Sequence, residues 1–313
     1  MGLASTGEFG LIQRVTARFG PAATTILGPG DDAAIVAAPD RRVVASVDVL
    51  VEGRHFRRDW ASATDIGHRA AAANLADISA MGATATALLV SLCVPPDIDP
   101  SWVEELADGF AAETEPLGAT VVGGDMAASP VITIAVTALG DLAGRAPVLR
   151  SGARPGDVLA MAGRVGYAAA GFTVLSRGFR SPRALVDAYR RPQVPYRAGP
   201  AAAALGATSM IDVSDGLLAD VGHIAQASGV GIDVRPEAFE ISQQMRDAGA
   251  ALGVDPYDWV LTGGDDHAIV ATFPSGTDLP AEWRLIGRVL DGGGVTVNGR
   301  AYRDGPMGWD HFR

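Results

Sequence analysis

Seven aspartates stand in short clusters, most of them glycine-flanked and most bordering an apolar run. Asp31 and Asp32 follow Gly28-Pro29-Gly30, Asp48 lies in Ser46-Val47-Asp48, and Asp77 ends Asn74-Leu75-Ala76-Asp77. Asp125 follows Gly123-Gly124, while Asp212 and Asp215 share Asp212-Val213-Ser214-Asp215-Gly216. A carboxylate at the end of a buried strand is costly unless it is paired or bound to metal. Carboxylates that converge make a site for a hard divalent cation. Mg²⁺ is the chief candidate, since it prefers oxygen ligands and bridges to substrate phosphates. The pattern points to metal-dependent phosphoryl transfer.

All 25 basic residues are arginine. With no lysine, the chain cannot carry a Walker A lysine, a protein-kinase strand lysine, a Schiff-base lysine or a lysine general base. Negative charge on a substrate must be met by arginine, backbone N–H groups or metal. A bias in composition, seen also in the abundant alanine, accounts for the absence equally well; the chemical exclusion holds either way.

A length of 313 residues allows one large domain or two ordinary ones. The formal net charge of −11 argues against a nucleic-acid or anionic-membrane surface. The single cysteine, Cys93, rules out an intramolecular disulfide framework and a cysteine zinc site. Its neighbours Leu92 and Val94 predict a buried structural thiol. Residues 1–10 lack a basic n-region and an apolar h-region, and no run of apolar residues is long enough to span a bilayer. A soluble cytoplasmic protein is the expectation.

Pattern and punctuation predict strands at 43–49, 86–94, 119–122, 131–139, 157–162, 207–213, 231–234, 267–273, 284–290 and 294–297. Helices are predicted at 64–81 with Thr64 as N-cap, 101–115 with Ser101 as N-cap, 166–177, 181–191 and 215–228. Asn74 and Asp77, three residues apart, share a helix face. Glycine and proline cluster at 140–156, where a domain boundary fits, and prolines punctuate 192–200. Strands and helices mix without a clean βαβ alternation. The fold class expected is α/β with α+β character, in two domains with mixed sheets and flanking helices.

Taken singly, each cluster has a plain reading. Gly28 to Asp32 reads as a surface turn, Gly123-Gly124-Asp125 as a hairpin turn, and Ser214 or Asp215 as an ordinary helix cap. Each has a functional reading beside it. Asp212 to Gly216 sits where a strand meets a helix, so its N–H groups suit phosphate and its carboxylates suit metal. A double glycine lets a backbone approach a nucleotide closely. Of the histidines, His68 and His223 fall on predicted helices, and His55, before Phe56, can face a ligand. No paired zinc-hydrolase histidines and no Gly-x-Ser-x-Gly appear, and Gly163-Arg164-Val165-Gly166 is too short for a dinucleotide fingerprint.

In order and spacing the motifs resemble those of the thiamine-monophosphate kinase family, within the superfamily of aminoimidazole-ribonucleotide synthetase. The matching segments run nearly end to end. They are Gly7-Glu8-Phe9, Gly30-Asp31-Asp32-Ala33, Ser46-Val47-Asp48, Val51 to Phe56, Asn74 to Asp77 with Ala80-Met81-Gly82-Ala83, and Gly123-Gly124-Asp125. Arg150 to Asp157, Asp212 to Leu217, Gly263-Gly264-Asp265-Asp266 and Gly308-Trp309-Asp310-His311-Phe312 complete the set.

The resemblance implies a kinase that converts thiamine monophosphate and ATP to thiamine diphosphate. By position it implies several Mg²⁺ ions on Asp32, Ser46, the backbone oxygen of Val47, Asp48, Asp77, Asp125, Asp212 and Asp215. It implies ATP contacts at Gly124, Asp125, Arg150 and Ser214, and thiamine contacts at His55, Asp265 and Trp309. It further implies a homodimer formed by an N-terminal domain, residues 1–146, that also binds ATP and Mg²⁺. An α/β C-terminal domain, residues 147–313, follows, with the active site in the cleft between the two. Valine stands at 47 and 49, where the family often has threonine. Gly264-Asp265-Asp266-His267-Ala268-Ile269 replaces the usual Gly-Glu-Asp-Tyr-Glu-Leu, so Asp265 is one methylene short of the usual glutamate.

The residue chemistry agrees. A phosphomonoester has a second pKa of about 6 and is largely ionised at neutral pH, so no general base and no covalent nucleophile is expected. The difficulty is bringing two anions together, which bound metal solves, and Arg150 is expected to supply further positive charge. The competing readings are another ATP-dependent enzyme of the superfamily, a two-metal phosphohydrolase, and a non-catalytic divalent-metal-binding protein.

Overall fold

The computed structural model describes residues 8–30, 33–302 and 305–309. The chain forms two compact units, one of residues 1–78 and 83–144, the other of residues 79–82 and 145–313.

The first unit contains α1 (Glu8–Thr16), β1 (Thr25–Leu27), β2 (Ile35–Val36), β3 (Val44–Val51), α2 (Ala63–Ala80), β4 (Thr84–Val94), α3 (Pro100–Thr114), β5 (Thr120–Ala128) and β6 (Thr133–Asp141). Among the described residues it holds a four-stranded sheet in the order β3-β6-β4-β5. β6 runs antiparallel to both neighbours, and β4 and β5 run parallel. Alternation sets the two faces. Along β6, Ile134, Val136 and Ala138 are buried, and the residues between them are only half-buried. Ala70, Ala71, Ala72, Leu75, Ala76 and Ile78 bury the inner face of α2. On the sheet's other face Val47, Val49 and Leu89 are exposed. Cys93 lies on this open face and is half-buried, not buried as its neighbours suggested, because Leu92 and Val94 point the opposite way.

The second unit contains β7 (Val158–Ala162), α4 (Tyr167–Ser176), α5 (Arg183–Arg190), α6 (Ala198–Ala204), β8 (Ser209–Asp212), α7 (Leu217–Ser228) and β9 (Gly231–Val234). It continues with α8 (Gln243–Leu252), α9 (Pro256–Thr262), β10 (Ile269–Phe273), β11 (Trp283–Leu290), β12 (Gly294–Val297) and β13 (Arg300–Ala301). Its seven-stranded sheet has the order β13-β12-β9-β11-β7-β10-β8. β12 and β9 pair in parallel and the other neighbours antiparallel, so both larger sheets are mixed or contain a parallel pair, as the fold class expected. β8, β9 and β10 are buried along their whole length.

Several local expectations change for physical reasons. The short strand at 119–122 runs on to Ala128 and takes Gly123-Gly124-Asp125 into the sheet, so this is no hairpin turn. A Cβ on Gly124 would lie 2.0 Å from the Val90 carbonyl oxygen, so glycine is what lets β5 pair here with β4. The cap of α2 is not Thr64. Ser62 and Asp65 bond each other's backbone N–H reciprocally. Asp99, not Ser101, caps α3. The proline-punctuated stretch contains α6, with Pro200 in its first turn, where a missing N–H costs no helical bond. α1, α6, α8, α9, β1, β2 and β13 were not expected. Among the described residues no helix is long and apolar enough to cross a membrane.

Candidate functional site

In the first unit, β3 and α2 bring three of the expected residues together. Ser46 and Asp48 point from β3 toward α2, alternating with the exposed Val47 and Val49. Ser46 Oγ donates to Asp77 Oδ2 at 2.5 Å. One turn earlier on α2, the fully buried Asn74 accepts the backbone N–H of Asp48 at 3.0 Å and donates to the Ala70 carbonyl at 2.9 Å. Asn74 therefore fixes where Asp48 sits. Its three-residue spacing from Asp77 was the signal for that role. Val47 can contribute only through its backbone.

Asp125 stands elsewhere. Asp48 is in register with Val136, Val90 and Gly124 across the sheet, whereas Asp125 pairs with Ser91, then Ala135 and Val49. Residues directly opposite share a face. Asp125 therefore belongs to the open face and Asp48 to the face toward α2. His55 accepts the Val51 N–H on Nδ1 at 2.9 Å, which puts the proton of the neutral ring on Nε2. Asp32 lies outside the described residues, as do Asp310, His311 and Phe312.

In the second unit, β8 delivers Asp212 to its buried end, and the chain then loops through Val213, Ser214, Asp215 and Gly216 into α7. The loop's carbonyls are held by other segments. Val213 O accepts from His267 N at 2.9 Å, Ser214 O from Asp265 N at 2.8 Å and Asp215 O from Trp309 N at 2.8 Å. Asp212, Ser214, Asp215, Asp265 and Trp309 are thus brought together, with Trp309 56% exposed. A Cβ on Gly264 would lie 2.0 Å from Ser214 O, so the approach of the two segments requires glycine there.

The loop's N–H groups do not await a phosphate, contrary to the reading of the strand–helix junction. Oδ2 of Asp220, in the first turn of α7, accepts those of Ser214, Asp215 and Gly216 at 3.1, 3.1 and 3.0 Å. Neither Ser214 nor Asp215 caps α7; Gly216 occupies that position without a side-chain bond. Burial first, then the charges of Asp212 and Asp215, push the Asp220 carboxyl up to about 7, against the lowering effect of its N–H bonds. Asp212 and Asp215 thus stand close enough to Asp220 to repel charge on it.

Asp265, Asp266 and His267 serve three different places. Asp265 is exposed, with φ +66°. Asp266 is buried and accepts the Ala168 N–H at 3.0 Å on Oδ1, pinning the start of α4, while Oδ2 has no hydrogen-bond partner among the described residues. Burial raises its carboxyl to about 7. His267, with φ +53°, lies 3.0 Å by Nδ1 from Asp212 Oδ2. Left-handed backbone at a non-glycine residue costs on the order of 1 kcal/mol or more and persists where the surroundings enforce it. This turn also starts β10 at Ile269 rather than at His267. Asp220, Asp266 and His267 were not anticipated as site-shaping residues. A carboxylate five residues beyond Asp215 on a helix's first turn was the available signal for Asp220.

Arg150 stands outside this hydrogen-bonded group. Its side chain is exposed and its carbonyl accepts from Ser228 Oγ, at the end of α7, at 3.1 Å. Among the described residues no three His, Cys, Asp or Glu side chains form a metal cluster. Mg²⁺ does not need one, because it is commonly held by one or two carboxylates plus water and phosphate oxygens. The oxygen donors of Ser46, Asp48 and Asp77 in one unit, and of Asp212 and Asp215 in the other, fit that chemistry. A cation there would relieve the mutual repulsion of Asp212, Asp215 and Asp220.

The chain matches the family described as AIR synthase related protein, its N-terminal domain over residues 30–142 and its C-terminal domain over residues 154–299. It is 49% identical over 312 residues to a thiamine-monophosphate kinase of Mycobacterium tuberculosis, covering 99% of this chain and 93% of that protein. It is 32% identical over 319 residues to a thiamine-monophosphate kinase of Aquifex aeolicus, covering 100% of each. Among solved structures, AaThiL complexed with AMPPCP and TMP superposes with a TM-score of 0.82 at 31% identity, covering 100% of this chain and 99% of that one.

Proposed function

Since the chain belongs to the thiamine-monophosphate kinase family of AIR synthase related proteins, we propose that it phosphorylates thiamine monophosphate with ATP by direct, Mg²⁺-dependent, in-line transfer, the last step in making thiamine diphosphate. The observation that carries this reading is the loop of residues 212–216. The N–H groups of Asp265 and Trp309, two residues expected to meet thiamine, hold the same loop that bears the carboxylates Asp212 and Asp215.

The attacking group is a phosphate oxygen of thiamine monophosphate, already ionised at neutral pH. It forms a bond to the γ-phosphorus of ATP as the bond to the bridging oxygen breaks and ADP leaves. No residue has to remove a proton. Ser46, the Val47 carbonyl, Asp48, Asp77 and Asp125 would hold Mg²⁺ in the N-terminal part and Asp212 and Asp215 in the C-terminal part, with Asp32 the remaining ligand proposed. Bound Mg²⁺ supplies charge neutralisation and a template for the two anions. Gly124, Asp125, Arg150 and Ser214 contact ATP, Ser214 by its hydroxyl because Asp220 occupies its N–H. His55, Asp265 and Trp309 contact thiamine monophosphate.

The domain of residues 1–146 binds ATP and Mg²⁺ and dimerises. The domain of residues 147–313 completes the enzyme, which works in the cytoplasm. Val47, Val49 and Leu89 are large apolar side chains exposed on one sheet face, the kind of patch that a second copy covers. Asp125 stands on that face and contributes at the dimer interface.

Incubation with ATP, Mg²⁺ and thiamine monophosphate tests the reading. The expected products are ADP and thiamine diphosphate in equal amounts, with no turnover in excess EDTA and no phosphorylated protein on the reaction path. Release of ADP without thiamine diphosphate, or a kinetically competent phosphoenzyme, defeats it.

A further inference from the structure

We propose that His267 is a positioning residue that fixes Asp212 for a divalent cation; the proposal rests on the reading of Asp212 as a metal ligand. Asp212 ends β8, and its partner in register is Ile269, the first residue of β10. His267 lies just before that strand, tied by its backbone N–H to Val213 O at 2.9 Å. Its Nδ1 lies 3.0 Å from Asp212 Oδ2, and the two side chains are only 6% and 5% exposed. An ionised carboxylate can only accept, so Nδ1 carries the proton and donates it. The bond commits Oδ2, fixes the carboxylate's rotation and leaves coordination to Oδ1.

The backbone argues that the imidazole itself is wanted. At φ +53° a glycine would be unstrained, but it has no side-chain donor. The chain accepts left-handed backbone at a histidine and gains a buried N–H aimed at Asp212. Hydrogen-bond partners that orient a metal's ligands change metal affinity by roughly 10- to 100-fold when removed.

The test titrates Mn²⁺, followed by electron paramagnetic resonance, into the full chain without nucleotide. Wild type is compared with D212N, H267G and H267N, and the melting temperature of each is recorded. H267G relieves the backbone and removes the donor. H267N keeps an amide N–H near the Nδ1 position and tolerates positive φ. The expected result is a loss of about tenfold or more in Mn²⁺ affinity for H267G, with H267N close to wild type. In Mg²⁺-dependent turnover, H267G should need more metal and recover its rate at saturation.

H267G with wild-type affinity beside a weakened D212N overturns the positioning role and leaves the ligand reading standing. H267N as weak as H267G shows that the donor is not what matters and also overturns it. An unchanged D212N, or a wild type that binds no Mn²⁺, removes both readings. Should H267G fail to fold, the wild-type protein decides. The Nδ1–H proton resonance of His267 must shift on adding Mg²⁺, and a resonance unmoved at saturating Mg²⁺ overturns the proposal.

Discussion

At the scale of single residues, the site is built from carboxylates that differ in what holds them. Asp77 takes a hydroxyl from Ser46, Asp48 is placed through its backbone by Asn74, and Asp212 is bonded by a buried histidine. Replacing Asp48, Asp125 or Asp212 by asparagine removes a hard anionic oxygen with almost no change of shape. Each variant should stay folded and lose most of its activity at low Mg²⁺, because Mg²⁺ tolerates poor coordination badly. Near-normal turnover by all three at low Mg²⁺ would discard the ligand assignment. Trp309 gives a second test at this scale. Its backbone N–H is bound to the Asp215 carbonyl, and at 56% exposure the residue is not buried in a core. A cationic thiazolium and a flat pyrimidine both suit an aromatic face, worth about 1–2 kcal/mol. Trp309→Ala should weaken thiamine monophosphate binding about five- to thirty-fold with little effect on ATP affinity or melting temperature. Equal loss for both substrates would take the indole out of the thiamine pocket.

At the scale of elements, the segment between α9 and β10 acts as a clamp. It holds the 213–214 carbonyls, sends His267 to Asp212 and buries Asp266 against the start of α4. Asp266 makes stability depend on pH with a definite sign. Its folded pKa is raised from 3.8 to about 7, chiefly by burial, so the folded state holds a proton that the unfolded chain has released above about pH 4. The contribution to stability is full below about pH 4 and is lost as pH rises toward and through 7. Asp266→Asn imitates the protonated carboxyl, keeps the acceptor for Ala168 N–H and has no charge to bury. The difference in melting temperature, wild type minus variant, should fall from pH 5 to about pH 7 and level off above it. Parallel curves across that range would show that Asp266 does not titrate there.

At the scale of the whole molecule, the four-stranded sheet of the N-terminal unit covers one face with α2 and leaves Val47, Val49 and Leu89 exposed on the other. A stable interface buries roughly 800 Å² on each partner, and a charge at its centre opposes it strongly. The dimer proposed on this face should become a monomer in light scattering with Val49→Glu and lose activity, since Asp125 stands on the same face. A variant that remains dimeric would place the interface elsewhere.

Periodicity made most strands and several helices legible in advance, because alternation and 3.6-residue spacing are local consequences of burying one face. The end of β8 at Asp212 could be read this way, whereas β3 runs past Asp48 to Val51 because Val49, Leu50 and Val51 go on pairing with β6. The helices α8 and α9 were missed although their ends carry local signals: Ser242 caps α8 through the Met245 N–H and Gly253 ends it, and Asp255 caps α9 just before Pro256. The motifs likewise determined the candidate ligands and the family that the chain resembles. Their surroundings did not follow from the motifs. Only register decides that Asp125 and Asp48 face opposite ways, and only the fold brings Asp220 to the loop's N–H groups and His267 to Asp212. These are hydrogen bonds and sheet faces set by strands and loops distant in sequence, and a linear pattern of residue types carries no distance across a sheet.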